Sequence, residues 1–460
     1  MQVSHAARAA AAHFDDPNLV SAVGLLPVMR LAENAGLRRL ADQWLSVPTD
    51  KGANAGTKVE SLVAGMVAGA DSIDDMALLR HGGMSKLFSS CYAPSTLGSF
   101  LRAFTFGHVR QLDAVASRVL VNLAHEAPVV PTPSDGGLVF VDVDDTIIEV
   151  HGHQKQGAGF GYSGVRGINA LLATVSTEPT APVIVAQRLR KGASGSPRGA
   201  GRIVADALKT VTRLPGDQAP VLLRADSAYY GFQVVNAALR AGAAVSITAR
   251  QDPAVKRAIS TIPEQAWTTI EYTDAIFDEA TRAWISRAEV AEVPFTAFTS
   301  RAKKDHVTGR LVVRRIPELN KKDLQHPTLF DTHRFHAFFT TSTLDTVTAD
   351  QVHRRHAIIE QVNADLKHSA LAHLPSGIFT ANAAWLVLAV IAFNLTRAAA
   401  TITGPALAKA TTATIRRKIV TIPARVATSG RRLRLHLPQA WPWAAAWSTL
   451  FAHGTGPPRR

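Results

Sequence analysis

Hydrophobic and polar positions follow different periods along the chain. Up to about residue 130 the spacing is helical. Leu26, Met29, Leu31, Leu37, Leu40 and Leu45 recur at two- to six-residue steps, and Gly36 marks a break between two short helices. The same spacing predicts helices over 59–70, 72–80 and 95–124, with Ser72 as a cap for the second. Pro and Gly crowd 128–137 (PVVPTPSDGG), which reads as a linker.

From Leu138 the period changes. LVFVDVD, PVIVAQRL (182–189), VLLRAD (221–226) and AAVSITAR (243–250) have the apolar density of buried strands, and helical stretches at 199–212 and 232–241 separate them. Alternating strands and helices imply an α/β layer with a partly parallel sheet. Residues 251–340 break the alternation with strand-like, Thr- and aromatic-rich pieces (WTTIEY, AWISRAEVAEV, RLVVRRI, RFHAFFTT) and read as a β-rich insertion. Helical spacing returns at 348–368 and 380–400. The apolar run 383–393 is short for a membrane span and is expected to be a buried helix. No internal repeat is visible.

Composition narrows the class. Hydrophobic residues make up 47% and charged residues 19%, a globular balance. The single cysteine, Cys91, excludes an internal disulfide and a multi-Cys zinc site. The first residues lack the charged and apolar regions of a secretory signal, and a cytoplasmic, nucleoid-associated location is expected. The formal charge is +14, and residues 366–460 carry 12 Lys and Arg with no Asp or Glu. A chain this basic is expected to meet a polyanion, although a solvated basic tail explains the charge as well.

Three places carry chemistry. In VFVDVDDT (139–146), Asp142, Asp144 and Asp145 end an apolar strand, and alternation puts Asp142 and Asp144 on one face. Close carboxylates favour a cation between them, and hard Mg²⁺ or Mn²⁺ suits oxygen donors. In VLLRADS a second buried strand ends in Asp226, which either joins that edge or caps the next helix. His353, His356, Glu360, Asn363 and Lys367 advance by threes and fours, as one stripe of a single helix would; a solvated face explains the stripe equally well.

Together these segments resemble the DDE transposases of the IS4-like group, most closely the IS1380 family. The match rests on DVDDT (142–146), HGHQKQG (151–157), LLRADS (222–227), and the spacing of Glu360 and Lys367. His353 and His356 stand where the wider group has Tyr and Arg, with Arg354 and Arg355 beside them.

The resemblance implies an RNase H-like α/β core over 138–250 and 341–404, interrupted by the β-rich insertion 251–340. A helical, DNA-binding domain over 1–130 would precede it and a basic C-terminal tail over 405–460 would follow. It implies Asp144, Asp226 and Glu360 as catalytic carboxylates holding two Mg²⁺ or Mn²⁺ ions, with Asp142 as a further ligand. Lys367, Arg355, His356, His353, Arg188, Arg190 and Lys191 are the DNA-contact candidates, the last three from a Gly-rich basic run at 188–199. A second Gly-rich run, 160–167, is a further phosphate-contact candidate. Trp267 and Trp284 are candidates for stacking a flipped base, or plain core residues. Double-stranded DNA and a homodimer are the implied partners, with no membrane.

Two other classes compete. The D-x-D-x-T strand also suits a haloacid-dehalogenase-like phosphatase, with Asp142 as nucleophile and Asp144 as general acid. A non-catalytic DNA-binding protein would explain the charge alone.

Overall fold

The computed structural model describes residues 10–48, 50–133, 137–216, 219–278, 282–317, 333–430 and 432–455. Six helices come first: α1 (Leu25–Asn34), α2 (Leu37–Trp44), α3 (Ala55–Ala68), α4 (Met84–Leu87), α5 (Pro94–Arg102) and α6 (Phe106–Glu126). Gly36 does separate α1 from α2, and its φ of 76° is one that only glycine adopts without strain. The expected helix at 72–80 is a 3₁₀ turn, Asp74–Leu79. The one expected over 95–124 divides into α5 and α6, with Thr105 capping the second through its side chain.

A ten-stranded mixed sheet forms the centre. Its strands are β2 (Val139–Glu149), β3 (Gly159–Phe160), β4 (Arg166–Ser176), β5 (Val183–Lys191), β6 (Val221–Ala225), β7 (Ala244–Thr248), β8 (Thr268–Asp278), β9 (Ala283–Ala297), β10 (Val307–Pro317) and β11 (His333–Thr340). β2 runs antiparallel to β4, and β4 to β5; on its other side β2 runs parallel to β6, and β6 to β7. β11 returns antiparallel to β7, and β10, β9 and β8 follow outward. The β-rich stretch after 250 thus extends the main sheet. It opens, however, on a helix, α9 (Pro253–Ser260), which Asp252 caps with bonds from the Ala254 and Val255 amides.

β4 goes beyond the sequence expectation. Every residue from Gly167 to Ser176 is buried, so no polar alternation marks it as a strand. Helices α7 (Ala200–Val211) and α8 (Phe232–Arg240) fall where the spacing predicts.

The helix expected over 348–368 is two helices, α10 (Thr346–Arg354) and α11 (Ile358–Lys367), joined by a 3₁₀ turn at Arg355–Ala357. A 3₁₀ residue advances about 120° rather than 100°, so the turn rotates α11 relative to α10 and breaks the single stripe.

α12 (Phe379–Ile402) is long and apolar enough to cross a membrane, but 89% of its most apolar window is buried inside the protein. It packs against α6, α3 and β5, and the Asn394 amide bridges both backbone groups of Ile184 at 2.8 and 2.7 Å. A helix apolar all round needs cover on every side, and here the fold supplies it. One apolar core runs through the N-terminal helices, α12 and the sheet.

The expected C-terminal tail is not a tail. α13 (Pro405–Ala408) and α14 (Thr412–Ile415) lead to a hairpin of β12 (Ala424–Ser429) and β13 (Arg432–His436), then α15 (Ala444–Thr455). β12 pairs with β1 (Leu19–Val20), and α15 packs on α1. Ile415, Ile419, Val420, Ile422, Val426 and Leu450 bury their side chains in the core, which holds the basic segment down.

Candidate active site

β2 carries two kinds of carboxylate. Asp142 is 1% exposed, and Arg224 of β6 grips it from the neighbouring strand: Nε donates to Oδ1 and Nη2 to Oδ2, both at 2.7 Å. Arg224 also donates to the Val352 carbonyl at 2.8 Å and lies over the Phe140 ring. Both Asp142 oxygens are committed, so Asp142 is neither a metal ligand nor an accessible nucleophile. This corrects the expected further ligand and removes the key residue of the phosphatase alternative.

Two residues on, Asp144 opens into a cleft of about 1060 Å³ lined by Asp145, Asp226, Arg250 and Lys367 among others. Asn363 of α11 donates Nδ2 to Asp144 Oδ2 at 2.9 Å. The Asn363 Oδ1 is buried without a hydrogen-bond partner. Burial pushes the Asp144 carboxyl up to about 7, helped by the negative charges of Asp145, Asp226 and Glu360.

Asp145 points to other partners. The Tyr229 hydroxyl and the Asn169 amide donate to it, and Arg190 Nη2 lies 3.1 Å away. Asp226 stands at the end of β6, where its Oδ1 accepts from the Ala228 amide at 2.8 Å; burial again raises its carboxyl. Glu360 lies exposed on the first turn of α11.

The structure therefore brings Asp226 and Glu360 each into electrostatic reach of Asp144. Their oxygens suit a hard divalent ion in chemical type, and a cation would relieve the desolvation and repulsion that Asp144 bears. Among the described residues, no three His, Cys, Asp or Glu side chains lie close enough to make a finished cage.

The DNA-contact candidates divide. Lys367 lines the carboxylate cleft. His356 donates Nδ1–H to the His353 carbonyl at 2.6 Å, near enough to Asp226 to oppose part of the rise that burial imposes on it. Lys191 is exposed where β5 runs into the cleft-lining turn Gly192–Pro197.

His353, Arg188 and Arg190 are corrections, while Arg355 stays exposed. His353 is 7% exposed, bonds Ser246 and Thr248, and stacks on Phe338 at 4.0 Å; burial holds its imidazole well below its ordinary range, so it is a neutral core group. Arg188 is spent on Asp113 (3.1 Å) and Asp206 (2.9 Å), tying β5 to α6 and α7. Arg190 turns inward, donating to the carbonyls of Ser196 and Arg198 at 2.9 and 2.7 Å and to Asn169 at 2.8 Å. It shapes the basic run from beneath. Arg355 pairs with Glu178 at 2.6 Å beside a separate cavity near Phe140, away from the cleft.

The Gly-rich run at 160–167 does line the cleft, with Phe160 66% and Tyr162 100% exposed. Trp267 is half-buried under Arg315 and beside Phe335, a packed role. Trp284 lies on β9, and its side chain is outside the described part. Arg224, Tyr229 and Asn169 are site-supporting residues that the spacing did not single out. Arg224 had one signal: a charge inside an apolar strand requires a partner.

A family model described as "Transposase DDE domain group 1" matches residues 3–453. The chain belongs to that family. No curated protein matches the transposase chain. Among solved structures, a piggyBac transposase synaptic complex with hairpin DNA is 10% identical, at a TM-score of 0.40, covering 88% of this transposase and 79% of that chain.

Proposed function

We propose that this transposase cuts DNA at the ends of a mobile element and joins them to target DNA in divalent-metal-dependent steps. The observation that carries the proposal is that Asp144 and Asp226 line one cleft, with Glu360 of α11 within electrostatic reach of Asp144. The order β5-β4-β2-β6-β7, with β6 and β7 parallel to β2, supports an RNase H-like core. Strands β8–β11 then form the insertion between the second Asp and the Glu. Membership of the IS1380 family, and the division at 1–130, 138–250 with 341–404, 251–340 and 405–460, belong to the same proposal.

Asn363 fixes the Asp144 carboxylate toward the cleft, and the bond from the Ala228 amide fixes Asp226 at the strand end. Lys367 supplies a cation for a substrate phosphate along the same wall. Asp145 is held by Tyr229, Asn169 and Arg190, which supports Asp144 as the ligand. Two Mg²⁺ or Mn²⁺ ions bound by Asp144, Asp226 and Glu360 would activate a water or a DNA 3′-hydroxyl for in-line attack and stabilise the leaving oxygen. Two element ends must be held together, so the working form is a homodimer on double-stranded DNA, at the nucleoid in the cytoplasm.

The test is cleavage of a labelled duplex from the gene's own flanks, with Mg²⁺ or Mn²⁺ and with EDTA, beside a phosphate-monoester substrate. Metal-dependent cuts at the element ends are expected. Phosphate release without DNA cleavage, or binding without cutting by the paired ends, would contradict the proposal.

A further inference from the structure

The C-terminal hairpin has two chemically distinct faces. Arg425 lies opposite His436, Ala427 opposite Arg434 and Ser429 opposite Arg432. Opposed residues of an antiparallel pair share a face, as do residues two apart along a strand. One face therefore carries Arg425, Arg432, Arg434 and His436, all exposed. The other carries Val426, which is buried, and Leu435, which packs on the core. β1 covers the outer side of β12, so β13 is the edge of this sheet. The apolar face anchors the ribbon, and the cationic face looks outward.

Within that face, among the described residues, Arg425 alone makes an ion pair, to Asp16 at 3.3 Å. Acid cannot come from nearby in sequence, because residues 366–460 contain none. Arg432 and Arg434 lie two apart on β13, opposite uncharged Ser429 and Ala427, and their mutual repulsion would be relieved by a polyanion. A two-stranded ribbon fits the major groove of B-DNA. From Arg432 to His436 the row spans about 13 Å, or about four base steps of a duplex. None of the four residues lines the carboxylate cleft.

We propose that this ribbon face is a second DNA-contact surface, gripping the phosphate backbone of duplex DNA away from the cleft. It rests on the transposase function proposed above. Its contribution to binding is sequence-independent and salt-sensitive.

The test is titration of a labelled duplex of about 30 base pairs of arbitrary sequence with the full chain, between about 50 and 200 mM salt. Wild type, R432A/R434A and R432K/R434K are compared. Each lost phosphate contact removes about 0.9 from the slope of log K against log salt, so the alanine pair is expected to lose about 2 and to bind at least about tenfold more weakly at low salt. The lysine pair is expected to keep the wild-type slope, which excludes misfolding at the hairpin as the cause. An alanine pair with the wild-type slope overturns the proposal and leaves the transposase function standing. No duplex binding by wild type overturns both. Loss of binding to phosphatidylserine vesicles, with duplex binding unchanged, overturns it in favour of a membrane surface.

Discussion

The side-chain amide of Asn363 holds the carboxylate of Asp144 at 2.9 Å, tying helix α11 to strand β2 beside the cleft. Removing that bond leaves Asp144 mobile and does not touch the DNA-binding cations. Asn363→Ala is expected to lower metal-dependent cleavage about 10- to 100-fold, the range for residues that orient a metal ligand, with DNA affinity unchanged. Parallel cleavage and binding measurements check it. Equal losses in both would show that Asn363 supports the fold and not the carboxylate.

Asp142 and Arg224 form a buried pair two residues from the cleft. Arg224→Met strands a buried carboxylate and is expected to cost about 3–5 kcal/mol in urea unfolding, while Asp142→Leu with Arg224→Met recovers most of it. A single variant as stable as wild type would mean that the pair is not buried as described.

Acidity gives a third check. Asp144 titrates at about 7 in the folded chain against 3.8 as a free group. Between those values the folded state binds more protons than the unfolded state, so this group's contribution to stability falls as pH rises from about 4 to 7. In EDTA, Asp144→Asn is therefore expected to be more stable than wild type at pH 8, by on the order of 2 kcal/mol after allowing for partial solvent screening. The advantage should vanish below about pH 4. Denaturant melts across pH measure it, and an advantage that grows toward acid would refute the assignment.

Lys367 and His353 separate two roles on neighbouring helices. Lys367→Ala is expected to weaken duplex binding at every sequence and to lower the salt slope by about 1. His353→Phe keeps a ring against Phe338 and is expected to leave that slope unchanged, because the buried imidazole carries no charge. A slope reduced in His353→Phe would return His353 to the DNA surface.

Much of this site was legible in the residues. The apolar runs before Asp144 and Asp226 marked both strands, although β2 runs on past its acids to Glu149. Glu360 and Lys367 stayed on one helix because no break lies between them. What was not legible is tertiary. Asp142 and Arg224 are 82 residues apart, and only the parallel pairing of β2 with β6 joins them. The 3₁₀ turn at 355–357 carries no glycine or proline to announce it, so His353 read as part of an outward stripe. Arg188 and Arg190 sit in a run whose composition is the same whether a guanidinium points out to phosphate or in to Asp206 and Asp145. β4 hid because a strand buried on both faces has no period to read.

We propose that Asp144, Asp226 and Glu360 act together on DNA phosphodiesters. The most direct measurement is cleavage of an element-end duplex in Mg²⁺ by Asp144→Asn, Asp226→Asn and Glu360→Gln, with DNA affinity measured on the same preparations. Each variant is expected to lose at least about a thousandfold in cleavage, with affinity within about threefold of wild type. Wild-type cleavage by any one of them, with its fold intact, would contradict the assignment.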